Sequence, residues 1–87
     1  MVTVALVHGL AASKYHWYPL LPYLNDVNVV NFEIPGHGES RSQNFDWEST
    51  VSKLYTSLPK SDCIIYVLHS FAASFLPEII KKIKKND

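Results

Sequence analysis

Three short apolar runs separated by segments of helical period limit what this chain can fold into: Val2 to Val7, Val27 to Phe32 and Cys63 to Leu68. Strands that read as nearly continuous apolar runs are expected to be buried on both faces, and helical crossovers between them imply parallel pairing with right-handed connections. Between the first two runs, Trp17, Leu20, Leu21 and Leu24 recur at helical spacing behind a Ser13 cap, with Pro19 and Pro22 placed to shorten or kink the helix. Between the second and third, Asp46 caps a predicted helix in which Trp47, Val51, Leu54, Tyr55 and Leu58 share one face, ended near Pro59. A last helix is predicted from about Phe71 to Lys84, with Phe75, Leu76, Ile79, Ile80 and Ile83 apolar and the lysines outward. The fold class that follows is α/β, a three-stranded parallel sheet with flanking helices, in a single domain over residues 1–87.

Composition narrows the function. At 87 residues, 47% hydrophobic and 18% charged, the chain is one globular unit. A chain of this size buries only roughly 60% of the surface its unfolded form exposes, so a self-associated copy or a missing C-terminal half is expected to cover the sheet edge. Eight Lys plus Arg against eight Asp plus Glu leave no electrostatic footprint for nucleic acid, and Lys81 to Lys85 read as the solvated end of the last helix. The single cysteine, Cys63, falls inside an apolar run, which excludes an intramolecular disulfide and predicts a buried thiol in a reducing compartment. No apolar stretch approaches the ~18 residues of a membrane span, and Met1-Val2-Thr3 enters a strand without the basic region of a signal peptide; the cytoplasm is the expected location. There is no internal repeat and no linker composition.

In open parallel sheets, ligands bind beyond the carboxyl ends of the strands. The loops at those ends carry His8-Gly9-Leu10, Pro35-Gly36-His37-Gly38-Glu39-Ser40 and His69-Ser70-Phe71. Ser70 stands where a strand pattern turns into a helical one, a position that suits a nucleophile and also an ordinary helix N-cap. His8, His37 and His69 have no second ligand at zinc-like spacing, so neither a metal nor a cofactor is expected. Trp17, Trp47 and the tyrosines read as core and rim packing.

Leu6-Val7-His8-Gly9-Leu10, then Ile34-Pro35-Gly36-His37-Gly38-Glu39-Ser40, then Val67-Leu68-His69-Ser70-Phe71-Ala72 resemble, in order and spacing, the successive landmarks of the α/β-hydrolase family. The resemblance runs from that family's third strand through the helix after its nucleophile, the front half of its core, and implies that the first strand here lies between the other two. It implies Ser70 as nucleophile, the backbone amides of Leu10 and Phe71 as the oxyanion hole, and Gly9 as the close approach to substrate. His8 and His69 are implied as loop support or substrate contacts, with His37 and Ser40 as loop supports, and Gly36 and Gly38 as sharp bends. Leu68 stands where the family usually has glycine, which predicts crowding at the Ser70 turn, while Ala72 is an accepted small residue. The family's acid and histidine follow its nucleophile, whereas after Ser70 this sequence has Glu78 and Asp87 and no histidine.

Three readings follow. The first is a serine hydrolase acting on a small carboxylic ester or thioester through an acyl-Ser70 intermediate, with the triad acid and histidine missing from these residues. The second is a catalytically inactive, truncated relative that binds through its exposed sheet edge. The third is a small α/β binding module in which the serine loop grips an anion.

Overall fold

Both edges of the first apolar run are taken up by hydrogen bonds. The computed structural model describes residues 2–86, in which β1 (Val2–Val7), β2 (Asn28–Phe32) and β3 (Cys63–Leu68) form one parallel sheet in the order β2-β1-β3. The register pairs Val7 with Phe32 on one side and with Leu68 on the other. The three strands therefore end level, and His8, Glu33 and His69 leave the sheet side by side.

Residues paired in a parallel register share a face, so Val7, Phe32 and Leu68 point the same way. That face meets α1 (Trp47–Ser57) and α2 (Leu76–Asn86). The core between them is Val7, Ile34, Val51, Leu54, Ala72, Phe75 and Ile79, all buried, with Phe32, Trp47, Tyr66, Leu68, Phe71 and Ile83 packed around it. Helix α1 begins where the sequence predicts: Asp46 accepts the Ser49 N–H at 2.8 Å, and Leu58 goes extended ahead of Pro59.

Two predicted helices take a different form. The segment after β1 folds as two 3-10 turns, Lys14–Trp17 and Leu21–Tyr23, because Pro19 and Pro22 lack the N–H groups a continuous α-helix needs. Ser13 still caps the first, accepting the Tyr15 N–H at 3.3 Å. The last helix does not run unbroken from Phe71: a 3-10 segment, Ser70–Phe75, precedes α2. Pro77 explains the boundary, since inside a longer α-helix it would leave the Ala73 carbonyl unbonded and clash with it, whereas in the first turn its missing N–H costs nothing.

The expectation of strands buried on both faces holds for β1, where Thr3 to Val7 are all buried, and fails for β3. On the face away from α1 and α2, the Lys14–Trp17 turn packs mainly against β1 and β2. Ile65 is left 48% exposed, and the Cys63 thiol, expected to be buried, is exposed as well. Both alternate with Tyr66 and Leu68, so they sit on the face of β3 turned away from α1 and α2. Among the described residues, no helix is long and apolar enough to cross a membrane.

The packing predicts a sharp contrast between the two faces. Phe75→Ala should lower unfolding stability by about 3–5 kcal/mol, read from the urea midpoint, because it empties the centre of the core. Ile65→Ala should cost less than about 1 kcal/mol.

Candidate active site

The level strand ends put the β1 and β3 loops in direct contact. A Cβ added at Gly9 would stand 3.0 Å from His69 Nδ1, 3.2 Å from Ser70 Cβ and 3.3 Å from the His69 carbonyl, so only glycine fits there without displacing the turn that carries Ser70. The His69 N–H donates to the Val7 carbonyl at 3.1 Å, extending the β1–β3 ladder by one bond up to the serine.

Ser70 is exposed and has φ of 57°, a left-handed conformation that is costly for a residue with a Cβ. Leu68 does not prevent this turn; its half-buried side chain packs against the core under the helices. Behind Ser70, Ala72 and Phe75 are buried, and Phe71 lies 5.7 Å from Trp47 and 5.6 Å from Phe75, ring centre to ring centre. These contacts hold the strained residue in place. Leu10 is 64% exposed, and among the described residues neither its N–H nor that of Phe71 donates to a protein acceptor.

His8 is fully buried. Its Nε2 accepts the Ile34 N–H at 3.0 Å, and its Nδ1 lies 2.8 Å from the Gly9 carbonyl. Burial pushes its pKa below the ordinary value of 6.5, against the opposing pull of the Gly9 carbonyl and of Glu33, with His37 and His16 adding to the depression. The ring is neutral at pH 7.

Glu33, which the sequence did not single out, ties the loops together. Its Oε2 accepts the Lys14 N–H at 2.5 Å and lies 3.2 Å from His8 Nε2, while its Oε1 accepts the Glu39 N–H at 2.8 Å. Gly36 and Gly38 have φ of 87° and 51°, as the predicted bends require, and a Cβ on Gly38 would run into the Glu33 carboxylate. The only sequence signal for Glu33 is an acid at a strand end ahead of Pro35-Gly36. His37 supports its own loop, with Nδ1 3.3 Å from the Pro35 carbonyl, and its ring lies 5.3 Å from that of His8.

His69 stacks on His16 at 4.9 Å and meets Trp17 edge-on at 6.2 Å. The structure thus gathers Gly9, Leu10, His69, Ser70 and Phe71 along the β1–β3 rim and places His8 beneath it. Glu78 lies elsewhere, paired with Lys81 at 3.2 Å on α2. A cleft of about 210 Å³ between α1 and α2, lined in part by Glu48, Glu78 and Lys81, shares no residue with this rim. Among the described residues, no group of three or more His, Cys, Asp or Glu is arranged to hold a metal ion.

The sequence profile of the alpha/beta hydrolase family matches residues 4–80. A stretch of 36 residues is 42% identical to the 2-succinyl-6-hydroxy-2,4-cyclohexadiene-1-carboxylate synthase of Pectobacterium atrosepticum, covering 41% of this chain and 14% of that protein. The match therefore spans a small part of the relative's length. No solved structure matches the chain.

Two measurements check the geometry. Ser70→Gly should be more stable than Ser70→Ala by about 1 kcal/mol in urea unfolding, since glycine adopts the left-handed conformation freely. Stability should also fall on acidification below about pH 6.5, because the unfolded chain takes up a proton on His8 there while the fold resists it, and the loss should level off once the folded ring is protonated too. Urea midpoints taken across pH should show this acid limb weakened in His8→Asn.

Proposed function

Since the chain belongs to the alpha/beta hydrolase family, we propose that Ser70 is the nucleophile of a serine hydrolase that cleaves a small carboxylic ester or thioester through an acyl-serine intermediate. The observation that carries this reading is Ser70 itself, exposed and left-handed after β3 and packed against Gly9, with the backbone N–H groups of Leu10 and Phe71 free of protein acceptors among the described residues. A serine hydroxyl is a weak nucleophile, and it is useful where it is exposed, fixed, and beside donors aimed at the oxygen that becomes negative.

In this mechanism the Ser70 Oγ attacks the acyl carbon and its proton passes to a general base. The carbonyl oxygen becomes an oxyanion held by the Leu10 and Phe71 N–H groups. Collapse expels the alcohol or thiol, and water then releases the acid by the same steps. The base and its acid lie outside residues 1–87 in this reading, because no histidine follows Ser70 in the sequence and Glu78 is paired on α2. The matched relative bears the name of a synthase, so the choice of ester rests on the serine and the two amides rather than on that match.

A second reading draws on the open face of β3. With Ile65 and Cys63 exposed on an outer strand, the chain would act as an inactive interaction module that pairs through this strand with a partner or a second copy. A fluorophosphonate probe separates the two. In protein isolated from its source cells, the probe should attach to the peptide bearing Ser70, and Ser70→Ala should abolish the label while leaving the circular dichroism spectrum unchanged. Labelling that persists in Ser70→Ala removes Ser70 from the role, and absence of any label moves the reading to the interaction module.

A further inference from the structure

We infer that His8 is a positioning residue whose ring, through a single tautomer, fixes the Gly9–Leu10 peptide with the Leu10 N–H turned to the Ser70 side. The inference rests on the reading of that N–H as an oxyanion donor.

A neutral imidazole has one donor and one acceptor nitrogen. The Ile34 amide can only donate, so the Nε2 it meets at 3.0 Å is bare; the Gly9 carbonyl can only accept, so the Nδ1 it meets at 2.8 Å carries the proton. Two backbone groups thus select one tautomer in a fully buried ring; the Glu33 Oε2, 3.2 Å from the same Nε2, can also only accept, but it already takes the Lys14 N–H at 2.5 Å and leaves Nε2 to the Ile34 amide. Protonation of Nε2 would leave this Nδ1–H in place, so the bond to Gly9 survives acid. Among the ring's states, it is the neutral Nε2–H tautomer that would release it.

The consequence passes through a planar peptide. No peptide bond in the described chain is cis, and in a trans peptide the C=O of Gly9 and the N–H of Leu10 point in opposite directions. The His8 Nδ1–H and the Ala12 N–H, at 3.2 Å, both hold the Gly9 carbonyl. The ring reaches the β2 loop through Ile34, whereas Gly9 packs against His69 and Ser70 after β3. With β1 between them, a carbonyl drawn to the ring turns the Leu10 N–H toward the serine. On the ring's other side the Glu33 Oε2 stands 3.2 Å from Nε2, and the carboxylate is held there by the Lys14 and Glu39 N–H groups it accepts.

Two variants separate the tautomer from mere packing. Asn places a side-chain N–H near the Nδ1 position and Gln places its polar group near Nε2. Nitrogen-15 NMR of the wild-type chain should show His8 protonated at Nδ1 and bare at Nε2 at pH 7.5; an Nε2–H ring overturns the inference with no variant needed. The Leu10 amide proton should give a nuclear Overhauser contact to the Ser70 β-protons in wild type and His8→Asn, and lose it in His8→Gln. In labelling-competent protein, His8→Gln should slow fluorophosphonate attachment at Ser70 by about 100-fold, the effect of one lost oxyanion donor, with His8→Asn within about 10-fold of wild type. A folded His8→Gln that keeps the contact and the rate refutes the positioning role. A wild type that never labels but shows the tautomer and the contact upholds the geometry and refutes the hydrolase reading instead.

Discussion

The rest of the structure depends on the double pairing of β1. Its two neighbours run parallel to it and in a register that brings Val7 level with both Phe32 and Leu68, so three separate loops start from one line. A parallel strand needs a long crossover before its partner returns, and each crossover here places helix or 3-10 turn on a face of the sheet. The loop contacts follow: His8 can reach Ile34 on one side and Gly9 can touch Ser70 on the other because the strands end together.

The site spends stability that the core supplies. Ser70 in a left-handed conformation disfavours the folded state, and it lies two residues beyond the end of β3. Against it stand Phe75, Leu54, Val51 and Ile79 under the sheet, with Phe71 and Trp47 bridging from that core to the turn. Strain at a chemical site persists only where the surroundings over-determine it, and the aromatic packing behind Ser70 meets that condition. The opposite face shows no such investment at β3, where Ile65 and Cys63 meet solvent.

Glu33 shows how a loop network is built from few groups. One carboxylate accepts two backbone N–H groups from different segments and stands beside the His8 ring, which itself bonds two more backbone groups. Two side chains thereby tie the β1 loop, the Lys14–Trp17 turn and the Gly38–Ser40 turn into one unit. Charge-assisted bonds to backbone amides are the strong kind, and here they replace the regular structure these loops lack.

By itself the sequence determined the α/β class, the three strands, the Asp46 cap and the three loops that carry the polar residues. These are local: apolar runs, capping side chains and glycines act within a few residues of themselves, and Gly36 and Gly38 take the positive φ their positions announce. It did not disclose that Pro77 divides the last helix, although that signal was present, nor that Cys63 would be exposed, because an apolar run does not say which of its faces a helix will cross. Only the tertiary structure decided the register that levels the strand ends, the left-handed Ser70 beside Gly9, and the partners of His8 and Glu33. Those depend on contacts between residues 19, 26 or more than 60 positions apart, and no spacing along the chain encodes where such groups meet once packing has set the strands side by side.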